Sequence, residues 1–295
     1  MNIRTSIDAM NQTARPDASL KVWRLDKHGA LMAGFSDAII SISPQDCAKR
    51  ALTVAALDML GGRTDELAIP PASTTILERA VIMIYPRGEP AISTPDSCAA
   101  AIKLLKGLHS VEVTNPPKIL VNPFLVDGRY CPLSAWDSLF ARRVTMLPKQ
   151  TREAVLKTFK MSCESFNRST IARMKGCLIH GDVQFGNMVR LDGTLRLIDW
   201  EDARIDHPLI DLAQFLFVNA IPQSQIREVI RAYDPALTTE DLLLFGYLNY
   251  LWTCFFMQEN QDLMQAARTW AVAQNLPEAL CELSEDQKTT KGKSS

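Results

Sequence analysis

CLIHGDVQFGNMVRLDGTLRLIDWE, residues 177 to 201, carries more local information than any other stretch of this 295-residue chain. The apolar run Cys177 to Ile179 stops at His180, and two further apolar runs flank Asp192-Gly193. An Asp-Gly pair between such runs predicts a β-hairpin. With the turn there, 188–191 pair with 194–197, and Asn187 and Asp199 emerge together at the open end. Cross-strand neighbours sit roughly 5 Å apart. An amide oxygen and a carboxylate held that close make a hard-oxygen site suited to Mg²⁺, which takes few protein ligands and completes its shell with phosphates. Asp182, in the loop just before, would face the same spot.

Asp182 precedes Asn187 by five residues and Asp199 by a hairpin. Protein kinases use that order: a catalytic-loop Asp accepts the hydroxyl proton, an Asn five residues on holds one Mg²⁺, and a later Asp holds the other. Reading His180-Gly181-Asp182-Val183-Gln184-Phe185-Gly186-Asn187 and then Ile198-Asp199-Trp200-Glu201, the stretch resembles the aminoglycoside phosphotransferase and choline kinase-like superfamily. Asp-Val-Gln-x-Gly-Asn and Leu-Ile-Asp-Trp-Glu lean toward its choline, ethanolamine and thiamine kinases.

The resemblance implies an α+β, two-lobed protein-kinase-like fold, with a small β-rich N-terminal lobe and a mostly α-helical C-terminal lobe. It implies ATP and Mg²⁺ as cofactors. Asp182 would orient and deprotonate the attacking hydroxyl, while Asn187 and Asp199 would bridge Mg²⁺ to the ATP phosphates. Asp211, in Ile210-Asp211-Leu212-Ala213, matches the position that braces the catalytic loop, and His180 reads as a structural residue beside it. Gln184 and Glu201 would meet the substrate. Trp200, Tyr247, Tyr250, Trp252 and Phe255 could form a cage for a quaternary ammonium or thiazolium through cation-π attraction; aromatics on a buried helix are more often core.

Outward from this stretch, Leu20 to Ser36 reads as another hairpin around Asp26-Lys27-His28-Gly29. Ser43-Pro44-Gln45-Asp46 predicts a helix start, with Leu52, Ala55, Ala56, Met59 and Leu60 at helical spacing and Gly61-Gly62 as its stop. Arg63 to Thr75 reads as a loop and Ala80 to Tyr85 as a strand. Tyr85, Pro86, Arg87 and Gly88 resemble the hinge whose backbone meets adenine. Thr94-Pro95 opens a helix ending near Leu108-His109, and Pro208 to Val218 and Thr238 to Met257 are strongly helical. The expected organisation is a divergent nucleotide-binding lobe over 1–85, a catalytic and substrate lobe over 86–282, and a disordered tail over 283–295.

The first lobe is where the pattern thins. The family supplies a Gly/Ser-rich phosphate loop, a Lys or Arg on the third strand and a Glu on the next helix. Aligning the 20–36 hairpin with strands two and three puts Asn11 to Pro16 at the phosphate loop and no cation at Leu31 to Gly34, so that Arg15 or Lys21 would hold the nucleotide phosphates. Taking Gly34-Phe35-Ser36-Asp37 as that loop instead makes Lys49 or Arg50 the cation, on a helix rather than a strand.

Composition bounds the rest. Basic and acidic residues number 32 and 33, so no electrostatic footprint for nucleic acid or an anionic membrane is visible. Seven scattered cysteines without Cys-x-x-Cys spacing read as thiols in a reducing compartment, the N-terminal sequence has no signal-peptide core, and Leu242 to Met257 is too short to span a bilayer. A cytoplasmic enzyme is expected, phosphorylating the hydroxyl of a small cationic metabolite such as choline, ethanolamine or thiamine. An aminoglycoside kinase would use Glu201, Asp202 and Asp206 to hold ammonium groups. A pseudokinase, a binding or regulatory module, would follow from the absent strand lysine.

Overall fold

The computed structural model describes residues 21–25, 31–34, 38–44, 47–76 and 80–274. The expected tail over 283–295, the Asn11 to Pro16 segment and Arg15 lie outside them. The fold is α+β. It contains two compact units, one taking the chain through Ile92 together with Gly186–Ala203, the other Ser93–Phe185 and the chain from Arg204 on.

In the first unit, β1 (Lys21–Leu25), β2 (Leu31–Gly34), β3 (Ala38–Pro44), β4 (Ser73–Ile76) and β5 (Ala80–Pro86) form one antiparallel sheet in the order β1-β2-β3-β5-β4. The expected 20–36 hairpin is β1–β2, and Lys21 opens it. The helix α1 (Ala48–Leu60) starts later than the cap at Ser43 predicts. Ser43 and Pro44 instead close β3, which pairs with β5 over seven positions and buries Ile40 and Ile42. Tertiary pairing of an Ala-Ile-Ile-Ser-Ile run outweighs a local cap signal, as it does for any strand with a buried face. A short helix, Thr64–Leu67, and β4 fall within the stretch read as a loop; every residue of β4 is exposed, so it shows no alternation.

After β5 the chain makes a two-residue strand β6 (Glu89–Pro90), which pairs with Arg190 and Val189. Gly88 lies so close to that partner that a Cβ there would sit 3.0 Å from Arg190 O and 3.1 Å from Val189 Cβ. Gly88→Val should therefore push β6 off the hairpin and destabilise the protein by about 1–3 kcal/mol. Urea unfolding against the parent chain tests this; an unchanged midpoint would contradict it.

The second unit is helical: α2 (Pro95–His109), α3 (Lys149–Arg168), α4 (Pro208–Val218), α5 (Gln223–Tyr233), α6 (Leu243–Phe256) and α7 (Gln261–Ala273), with a small antiparallel pair, Cys177–Ile179 against Arg204–Asp206. Their ends obey local chemistry. Thr94 Oγ1 accepts the Ser97 N–H at 3.1 Å with Pro95 behind it, and Asp241 Oδ2 accepts from Thr238 N–H and O–H at 2.8 Å each, reaching back over the turn ahead of α6. The apolar α6 is the centre of the core, packing against α3, α4 and α7 with Phe245, Tyr247, Tyr250 and Leu251 buried. No helix among the described residues is long and apolar enough to cross a membrane.

Candidate active site

The hairpin has the register its sequence predicts, Met188 opposite Leu197 and Leu191 opposite Thr194. Asp192 and Gly193 both take positive φ, 51° and 76°, the turn whose twist matches the strands. At the other end the Ile198 N–H donates to Asn187 O at 3.0 Å, carrying the ladder one residue further. Asp199 then takes φ 64°, ψ 61°, a left-handed conformation costing on the order of 1 kcal/mol in a residue with a Cβ. That break ends the strand and turns the chain into the short 3-10 turn Trp200–Asp202. Asn187 is buried and Asp199 exposed.

Asn187 and Asp199 stand at the same end of one hairpin. Among the described residues no group of three or more His, Cys, Asp or Glu side chains is placed to hold a metal. A site of one carboxylate and one amide suits Mg²⁺, which keeps water and phosphate oxygens on its other positions, and suits neither Zn²⁺ nor an all-protein Ca²⁺ cage. Asp199 also acts on Tyr85, at the end of β5: burial, with the Asp199 charge added, pushes the Tyr85 phenol up to about 12. Tyr85 and Pro86 are half-buried and Arg87 is exposed where β5 leaves the sheet.

The loop bearing Asp182 is held from below by one helix. Asp211 of α4 is fully buried; its carboxylate accepts the N–H groups of His180 at 2.8 Å and Gly181 at 2.9 Å, and His109 Nε2 lies 3.1 Å away. Because a carboxylate only accepts, Nε2 carries the proton, and Nδ1 meets the Tyr233 hydroxyl at 2.7 Å. Burial alone would raise the Asp211 pKa; the hydrogen bond and charge of His109, with His180, hold it below the ordinary carboxylate range. Further along α4, Gln214 Oε1 accepts the Val183 N–H and Asn219 Oδ1 the Phe185 N–H. Asp182 itself accepts from Gln184 Nε2 at 2.9 Å, and its N–H points to His180 Nδ1 at 3.3 Å. His180 is fully buried, as a structural residue.

Several of the expected substrate residues have partners within the protein. Gln184 is bonded to Asp182. Glu201 is ion-paired with Lys49 of α1, so its charge is matched within the protein. Of the aromatic set, Tyr247 and Tyr250 are core, stacked with ring centroids 6.0 Å apart, while Trp252 lies two residues on from Tyr250 and is exposed on the opposite side of α6. Trp200 is buried and donates its indole N–H to Leu197 O. Lone-residue reading missed the loop supports His109, Gln214 and Asn219. For two of them a signal was present: Gln214 follows Asp211 by three residues on an otherwise apolar helix, and Asn219 caps that helix's end.

An α+β fold with these two elements is that of kinase-type phosphotransferases. The chain belongs to the phosphotransferase enzyme family, whose model matches residues 48–243. Solved structures share the fold at low identity. A choline/ethanolamine kinase family protein from Mesorhizobium loti is 16% identical over 95% of this chain and 94% of its own, with a TM-score of 0.59. The ADP-bound aminoglycoside phosphotransferase APH(2'')-Ib is 16% identical over 89% and 96%, TM-score 0.59, and the choline kinase LicA from Streptococcus pneumoniae 14% identical over 92% and 98%, TM-score 0.57. No curated protein matches the sequence.

Proposed function

We propose that the protein transfers the γ-phosphoryl group of ATP, with Mg²⁺, to the hydroxyl of a small metabolite alcohol of the choline, ethanolamine or thiamine type. The observation that carries this reading is the hairpin: its register delivers Asn187 and Asp199 to one end, and the left-handed turn at Asp199 leaves that carboxylate exposed. These two side chains would hold Mg²⁺, which neutralises charge on the transferring phosphates. Asp182, aligned by Gln184, would accept the hydroxyl proton, a task in which positioning matters more than basicity. The backbone after Tyr85, at Pro86 and Arg87, would take the adenine, and Asp211 with His180 would keep the loop in shape.

The metabolite alcohol is preferred to an aminoglycoside because of the acids. Glu201 is matched by Lys49, and Asp206 is fully buried, accepting from Asn122 and Arg204. Two of the three carboxylates expected to hold an aminoglycoside's ammonium groups are thus engaged.

Purified protein with labelled ATP, Mg²⁺ and a panel of choline, ethanolamine, thiamine and aminoglycosides should label one of the three metabolites, and EDTA should abolish the label. Asp199→Ala should weaken Mg·ATP binding, read by calorimetry, by more than the roughly 10–100-fold that changes outside a metal's own ligands cost. Label on an aminoglycoside alone would replace the acceptor class. No Mg·ATP binding by the folded parent chain would overturn the enzyme reading in favour of a binding module.

A further inference from the structure

The strand preceding α1 is Ala-Ile-Ile-Ser-Ile-Ser-Pro and carries no cation. A cation beside the turn that follows the hairpin comes instead from the helix. Lys49 lies in the first turn of α1, on the stripe that continues through Thr53 to the buried Ala56 and Leu60, and α1 packs against the Trp200–Asp202 turn. Its ammonium is ion-paired with Glu201.

This is a poor place for a lysine on local grounds. The first turn of a helix is the positive end of its dipole, and α1 has no acidic residue in that turn and no side-chain cap on its first amides. The acids that keep it charged come from 150 residues away in sequence. Burial lowers its pKa, yet the Glu201 hydrogen bond and charge, then Asp202 and Asp199, leave it raised above its ordinary value. The Lys49 side chain is also 30% exposed, so solvent reaches part of it.

We infer that Lys49 is the cation that contacts the nucleotide phosphates, held toward them by Glu201, so that the phosphate-binding charge of this protein is on the helix and its anchor is on the hairpin. Kinases build the same ion pair from a strand lysine and a helix glutamate; here the lysine is on the helix, and the glutamate two residues beyond the metal ligand Asp199. Glu201 is accordingly a positioning residue for Lys49 rather than a substrate ligand. The inference rests on the phosphotransferase reading above.

Calorimetry with Mg·ATP and with adenosine, on the parent chain, Lys49→Met and Lys49→Arg, separates a phosphate contact from a structural one. Lys49→Met should lose roughly 10- to 100-fold in Mg·ATP affinity, as loss of a charged hydrogen bond does, with adenosine affinity kept within about twofold. Lys49→Arg should recover most of the loss. Unchanged Mg·ATP affinity in Lys49→Met, or equal losses for ATP and adenosine, would overturn the assignment. If the parent chain binds no Mg·ATP, the phosphotransferase reading itself fails; if the parent binds and Lys49→Met binds equally, only this assignment does.

Discussion

Asp182→Asn should lower phosphoryl transfer by about 10²–10⁴-fold, the range a positioned proton acceptor contributes, with Mg·ATP affinity nearly unchanged. The substitution conserves shape and removes only the charge and the ability to take a proton. Gln184 Nε2 already donates to Asp182 Oδ2 at 2.9 Å, and an amide oxygen can accept the same bond, so the loop has no reason to rearrange. The loss should appear in kcat, because the acceptor alcohol still binds but is neither aligned nor deprotonated. Single-turnover transfer from labelled ATP measures it. A fall smaller than about tenfold would show that Asp182 is not the acceptor of the hydroxyl proton.

Asp211→Ala should be the most destabilising single change in the second unit, costing about 3–5 kcal/mol, as removal of one partner from a buried charged network does. Three groups lose a fully buried acceptor: the His180 and Gly181 amides and the His109 ring N–H. Against a total stability of about 5–15 kcal/mol the effect should be plain in urea unfolding at neutral pH. The sign with pH follows from the lowered pKa. The Asp211 contribution is fully present above the unfolded carboxylate value near pH 4, roughly, and is lost as the pH falls through its lower folded value. The stability gap between the parent chain and Asp211→Ala should therefore persist from pH 7 to about pH 5 and narrow only in stronger acid. A variant as stable as its parent at pH 7 would mean that the loop amides find other partners.

Much of the local architecture was legible from short sequence windows. The 188–197 hairpin, the Thr94 and Pro95 start of α2, the limits of α4 and the Thr238 to Asp241 reach at the start of α6 each depend on residues within a few positions of one another. Where reading failed, the deciding partner was distant. Ser43 looked like a helix cap until β5 paired with it; β4 had no pattern because it lies exposed at the sheet edge.

By itself the sequence determined the hairpin and its register, hence the juxtaposition of Asn187 and Asp199, because an Asp-Gly turn and a two-residue alternation are local constraints. It also determined that Asp182 precedes them by a fixed interval. Only the tertiary structure decided what surrounds those residues: that Asp211 gathers His109 from 102 residues away, that Gln184 turns to Asp182, and that Glu201 is matched by a lysine 152 residues earlier. Buried and half-buried charges take partners wherever the fold brings one within reach, since an unpaired charge out of water is costly. Sequence spacing carries no information about that choice.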